Sequence, residues 1–197
     1  MIKKLMMAGL TLMLLSACGT DTSNENDNAM NETDTTTNVQ TSTTADTNAN
    51  GDVDVTNPAV SMKEAIDTFL AKYPDAKIES IELDADFGNL RYEIDGFDSA
   101  KEYDVVIDAS TKEMKVEEVE ANHDRDEALD LSNIIEPGEA IEKASAKEEV
   151  NGFTPVGWSL EVDDGRTRYS IEFKKGLSEI DIKVDAKTGE IIEVDAD

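Results

Sequence analysis

The stretch Ile180-Asp-Ile-Lys-Val-Asp-Ala-Lys-Thr-Gly-Glu-Ile-Ile-Glu-Val194 decides how the rest of the chain is read. Ile180, Ile182 and Val184 alternate with Asp181, Lys183 and Asp185, the period-two pattern of a strand with one buried face. Asp185-Ala-Lys-Thr-Gly189 then supplies turn chemistry. An Asp carboxylate accepts from amides just ahead of it, and Gly takes positive φ without a Cβ clash. The same phrase occurs earlier as Tyr103-Asp-Val-Val-Ile-Asp-Ala-Ser-Thr-Lys-Glu113, so the chain holds a duplicated module.

Outward from that hairpin the echo runs through a whole unit. Ser61-Met-Lys-Glu64 is a capping box opening a helix that carries Ala65, Ile66, Phe69, Leu70 and Tyr73. Strands over 78–83, 90–94, 103–107 and 114–119 follow. The second unit opens at Glu136-Pro137, with Pro suited to the first helical turn. Its strands carry Val156, Trp158, Leu160 and Val162, then Tyr169, Ile171 and Phe173, then the hairpin of the opening. The expected fold class is α+β: two tandem modules, each one helix packed on a small antiparallel sheet, in the order α-β-β-β-β. Trp158 is expected in the core. The two copies of the hairpin differ at one position, where Lys112 stands in place of Gly189. Positive φ is disfavoured at Lys, so the first turn is expected to take a different register from the second.

Towards the N-terminus, Lys3 and Lys4 precede the apolar run Leu5 to Leu15, too short to span a bilayer and ordered like a secretory signal. It ends in Leu15-Ser-Ala-Cys18-Gly19, which looks like a bacterial lipobox. The reading is a lipoprotein signal peptide over 1–17, with Cys18 lipidated by diacylglycerol and acyl (palmitate-type) chains. That places the protein outside the cytoplasm, anchored to the membrane by lipid, in a cell of Gram-positive type. Residues 18–57 hold Thr, Asn, Asp and Ser with no Lys or Arg, so the lipidated N-terminus is expected to continue as a disordered acidic tether. Its root-mean-square reach is roughly 35 Å. The two modules then fall at 58–120 and 136–197, with a connector over 121–135 that forms either a short helix or a strap between them.

Within the tether, Asp46, Asn48, Asn50, Gly51, Asp52 and Asp54 follow the spacing of a calcium loop. Asn57 replaces the bidentate Glu of such loops and Pro58 blocks an exit helix, so at best a weak Ca²⁺ site is expected. Other oxygen clusters for hard cations are Asp84, Asp86 and Asp95 near the first hairpin, and Asp163 and Asp164 near the second; turn-forming Asp on solvated loops is the alternative reading.

The formal net charge is −27, and cleavage before Cys18 removes two lysines and no acids. Such a chain does not seek nucleic acid; its long-range attractions are to cations and basic protein surfaces. Against this background Arg166, Arg168, Lys174 and Lys175 form a basic island, with Arg166 and Arg168 expected to be exposed opposite Tyr169 and Phe173 and available either to a partner or to the acids of the first module. Catalytic residues are not expected. His123 is the sole histidine and sits in the acidic connector, no second imidazole can serve a Ser nucleophile, and Cys18 is the only thiol. No resident metal or cofactor is expected beyond the Ca²⁺ candidates.

Glu64-Ala65, Arg91-Tyr92-Glu-Ile94 and Ile107-Asp108-Ala109-Ser110-Thr111 in the first unit have counterparts in the second. These are Glu139-Ala140, Arg168-Tyr169-Ser-Ile171 and Val184-Asp185-Ala186-Lys187-Thr188-Gly189-Glu190. Together they resemble the PepSY domain, named from peptidase propeptides and a spore-germination protein. The resemblance implies a small antiparallel sheet crossed by a helix, and an association with inhibiting or chaperoning secreted proteases. The expected function is therefore that of a non-enzymatic surface lipoprotein whose modules bind a protein partner, a secreted or wall-associated protease. The alternatives are a cation-responsive envelope protein and a structural spacer.

Overall fold

The computed structural model describes residues 53–86, 88–121 and 127–196. Helix α1 (Met62–Lys72) precedes strands β1 (Lys77–Asp86), β2 (Asn89–Phe97), β3 (Lys101–Asp108) and β4 (Met114–Ala121). Helix α2 (Pro137–Ser145) and a 3₁₀ turn (Glu148–Val150) precede β5 (Thr154–Asp163), β6 (Arg166–Lys175), β7 (Ser178–Asp185) and β8 (Ile191–Ala196).

Two separate small sheets were the expectation, and this is corrected. All eight strands form one antiparallel sheet in the order β4-β3-β2-β1-β5-β6-β7-β8. The seam is β1 against β5, with Ile81 opposite Leu160 and Leu83 opposite Trp158. A four-stranded module alone would leave β1 or β5 with unpaired amides and carbonyls; pairing the two removes one edge from each copy. The fusion also makes one core. Trp158, 3% exposed, stands edge-on between Tyr92 and Tyr169, with ring centroids 6.2 and 5.8 Å away, so the aromatic contacts cross the seam.

Alternation decides which face is buried. Along β2, Leu90, Tyr92 and Ile94 are buried, and along β6, Tyr169, Ile171 and Phe173. This face is covered by Met62, Ala65 and Phe69 of α1 and by Ala140, Ile141 and Ala144 of α2. The α1 cap is complete: Ser61 Oγ accepts from the Glu64 amide, and the Glu64 carboxylate accepts from the Ser61 amide. The tyrosines tie the chain entering each helix to the sheet. Tyr92 Oη donates to the Val60 carbonyl and Tyr169 Oη to the Ile135 carbonyl, each at 2.8 Å.

The two modules fill one space in opposite ways. In the first, the Phe69 ring lies where a Cβ on Gly96 would sit, 2.6 Å from Cζ, so glycine is required there. In the second, the equivalent positions are Ala144 on the helix and Phe173 on the strand, both buried. Large and small are exchanged across the interface while the volume is conserved.

The turns of the two hairpins are alike, contrary to expectation. Lys112 adopts φ of +64° and Gly189 +71°. Asp108 Oδ1 accepts from the Ser110 and Thr111 amides as Asp185 Oδ1 does from those of Lys187 and Thr188. The differing apolar phase after the turns arises one step later, in bulges. Module two slips between Lys183 and Val184, leaving Ile192 as the extra residue; module one slips between Asp104 and Val105, leaving Glu117. Both bulges lie on the outer strands, where they blunt an exposed edge.

The core also takes in a residue from the expected tether. Val55 is 2% exposed and belongs to the core, and Asp54 closes a turn by accepting from the Thr56 amide at 2.9 Å. The described part of the connector is a strap. The Leu129 amide donates to the Ile78 carbonyl and the Ile135 amide to the Ala186 carbonyl, each at 2.8 Å, so it is tied to both modules.

Candidate functional site

Both helices lie on one face; among the described residues no helix covers the other face of the sheet, and over β1–β3 it is acidic. Glu82 lies directly across from Glu93, and Asp95 across from Asp104. Like charges in such pairs are destabilising, so the fold tolerates them at a cost. Carboxylate oxygens of Glu93, Asp95 and Asp104 lie within 4.8 Å of one another, and all three residues are half-buried. Ser80 Oγ donates to Asp95 Oδ2 at 2.7 Å. Asp104 Oδ1 is buried and has no hydrogen-bond partner among the described residues.

Crowding shows in the proton affinities. Loss of water pushes the Glu82 carboxyl up to about 7, with the charges of Asp84 and Glu93 adding to it. Glu82 itself keeps substantial solvent contact. Glu93 and Asp104 rise in the same way, burial first and neighbouring carboxylates second. Arg91 lies among these acids and is spent on Asp84 (Nε–Oδ1 3.0 Å) and Asp86 (Nη1–Oδ2 3.1 Å).

The residues singled out from sequence separate in space. Cys18, Asp46, Asn48, Asn50, Asp52 and His123 lie outside the described residues. Asp54 is engaged in its own turn. Of Asp84, Asp86 and Asp95, the first two are held by Arg91, and Asp95 joins Glu93 and Asp104 instead. Cross-strand register, not nearness to the hairpin loop, brings that trio together; counting period two from Tyr92 and Tyr103 puts all three on one face. Asp164 serves the β5–β6 turn, where it and Gly165 have φ of +51° and +71°, the signature of a tight hairpin turn.

Of the basic island, Arg166 is exposed as expected, Lys174 and Lys175 are exposed with it, and Arg168 alone departs from expectation. Arg168 bonds Asp163 through Nη1, and its side chain is only 13% exposed. Lys174 pairs with Glu172 and Glu179, and Lys175 sits over the Phe153 ring, 5.5 Å from its centroid. Arg166 is exposed at the head of β6 and makes no ion pair among the described residues.

Among known proteins, the pattern of the family described as "Peptidase propeptide and YPEB domain" matches residues 59–117 and 134–195. A solved structure of a "putative lipoprotein" from Clostridium difficile 630 is 33% identical, with a TM-score of 0.62 over 72% of this chain and 95% of that one. A DUF2874 family protein from Bacteroides uniformis ATCC 8492 is 12% identical, with a TM-score of 0.28 over 67% of this chain and 86% of the other. No curated protein matches. Two matched segments, one per structural repeat, show that the chain belongs to the PepSY family.

Proposed function

We propose that this protein is a non-enzymatic, lipid-anchored protein of the extracytoplasmic surface that binds a basic protein partner through the open face of its sheet. The partner is a secreted or wall-associated protease whose activity it restrains. The observation that carries the reading is the row of like-charged cross-strand pairs, Glu82–Glu93 and Asp95–Asp104, on a face that no helix covers among the described residues. A basic surface docked there would relieve the repulsion that the fold tolerates, and the net charge of −27 would speed its approach. Membership in a family named for peptidase propeptides points to proteases, and likeness to a protein described as a lipoprotein supports anchoring through Cys18. The full chain in mild detergent should slow substrate cleavage by the secreted proteases of its host, and rising salt should weaken that effect. Unchanged cleavage throughout that secretome would overturn the reading.

A second reading, a cation-responsive envelope protein, is favoured by the Glu93–Asp95–Asp104 trio and the unpartnered Asp104 oxygen. Oxygen donors of this kind suit Ca²⁺. Calorimetry with Ca²⁺ decides it: saturable heat supports the reading, and none at millimolar ion removes it.

A further inference from the structure

On the helix-covered side of the sheet, the segment entering α1 and the first turn of α2 frame a pocket of about 200 Å³. Its buried lining is Val55, Met62, Tyr92 and Trp158, and Ser61 and Glu136 stand exposed at its rim. The two sides approach closely, since a Cβ on Gly138 of α2 would sit 3.2 Å from the Thr56 carbonyl oxygen. Sites for whole ligands run from about 300 to 1,000 Å³, and a water takes about 30 Å³. The space therefore suits one functional group of a few heavy atoms.

Trp158 is the residue that points to a ligand. It is 3% exposed, and its Nε1 is buried with no hydrogen-bond partner among the described residues. Ile81 holds the same place in module one, opposite Ile94 as Trp158 is opposite Ile171, and buries no polar side-chain atom. An indole N–H left unbonded costs about 1–3 kcal/mol that an aliphatic side chain avoids. The flanking tyrosines do not answer it, because their hydroxyls donate to the carbonyls of Val60 and Ile135. A second donor lines the same pocket. Helix α2 has no side-chain cap, Pro137 has no amide hydrogen, and the Glu139 and Ala140 amides go to the Glu136 carbonyl. That leaves the Gly138 amide without a partner among the described residues. The rim has the opposite character: burial raises the phenol of Tyr169, and the charge of Glu136 raises it further.

We infer that this pocket takes a neutral primary amide, its carbonyl oxygen accepting from Trp158 Nε1 and the Gly138 amide and its N–H donating to the Glu136 carboxylate. Donors alone would suit a carboxylate, but Glu136 repels one. A cation would satisfy Glu136 and leave the indole unbonded. A peptide bond brings chain on both sides, whereas a primary amide ends its chain and fits the small volume. The chemistry is common to a free small amide and to an asparagine or glutamine side chain on a peptide, so both are tested. Tyr92 and Glu93 point to opposite faces of β2, so the pocket is separate from the open acidic face and neither result bears on the other.

Trp158 is the sole tryptophan, so the chain has a single indole N–H signal in a proton–nitrogen NMR spectrum. In the full chain in mild detergent, this proton should resonate at the upfield position of an unbonded N–H. Acetamide should move it downfield and saturate in the millimolar range, while acetate and methylammonium bind roughly tenfold more weakly or not at all. Tighter binding of Ac-Ala-Gln-Ala-NHMe than of Ac-Ala-Ala-Ala-NHMe assigns the amide to a peptide side chain, and no gain from glutamine assigns it to a free small amide. Glu136→Gln, at an exposed position without a capping bond, should keep the fold and weaken acetamide binding by roughly tenfold. An indole proton already downfield in the free chain, no saturable shift with acetamide, acetate binding as tightly as acetamide, or unchanged affinity in Glu136→Gln would each overturn the inference.

Discussion

Lys112 and Gly189 occupy the same position of equivalent turns with φ of +64° and +71°, although only glycine does so without steric cost. The side chains around them compensate. Lys112 Nζ reaches Glu64 Oε1 of α1 at 2.5 Å. In module two the lysine comes from the helix instead: Lys143 lies over Gly189 and meets Glu139 Oε1, the equivalent of Glu64, at 3.5 Å. An ammonium over the turn is therefore common to both copies, supplied from opposite elements.

Replacing Lys112 by Gly should remove a left-handed penalty of roughly 1 kcal/mol at the loss of a solvent-screened ion pair. The expected outcome is a gain of about 0.5 kcal/mol in denaturant unfolding. Gly189→Ala should lose about 1–2 kcal/mol, because Lys143 can swing aside but φ cannot change. A loss from Lys112→Gly larger than that from Gly189→Ala would contradict the account.

Phe69 and Gly96 should behave as one packing unit. Gly96→Ala places a Cβ 2.6 Å from Phe69 Cζ and 2.7 Å from the Lys77 carbonyl oxygen. Overpacking of this kind costs about 1–3 kcal/mol, and Phe69→Ala should cost about 3–5 kcal/mol. Phe69→Ala combined with Gly96→Phe imitates module two but keeps the new Cβ 2.7 Å from the Lys77 carbonyl oxygen, so the double variant should lose less than the sum of its two single losses without regaining native stability. Additive losses in the double variant would refute equivalence of the two cores.

On the acidic face the sign of the pH dependence follows from direction alone. Glu82, Glu93 and Asp104 have raised folded-state pKa values. Their stabilisation is complete below the unfolded value of about 4, and is lost as pH rises towards the value of about 7 reached at Glu82. Glu64 runs the other way, held down at about 2 chiefly by its bond to Lys112, and its contribution vanishes only in strong acid. The thermal midpoint at low salt should therefore be higher near pH 5 than near pH 8, roughly, with Glu82→Gln flattening the difference. Equal midpoints, or a higher one at pH 8, would argue against crowding on this face.

How much of this was readable from residues alone depended on how local the cause was. The Asp-Ala-x-Thr turn is built from bonds two and three residues apart, so Asp108 and Asp185 announced it in the sequence. The helix start at Ser61–Glu64 is equally local. Pairing of Leu83 with Trp158 is not local, and two copies of one hairpin pattern cannot say whether their edges join. Lys112 misled because intrinsic preference favours another turn, and the shared bonding of Asp108 with the Glu64 contact overrides it. The Glu93–Asp95–Asp104 trio was hidden in an abundance of acids and became visible only through strand register. Arg168 looked free because sequence does not show Asp163 folded back on it.

The central claim is that the open acidic face holds a basic partner, and inhibition by a face-neutralised protein tests it most directly. Glu82→Gln, Glu93→Gln, Asp95→Asn and Asp104→Asn together should preserve or raise the thermal midpoint, since they remove repulsion between facing strands. The same protein should need roughly tenfold or more concentration to slow the host's secreted proteases, and should lose the salt dependence of the native chain. Inhibition equal to that of the native protein, with the same response to salt, would contradict the account.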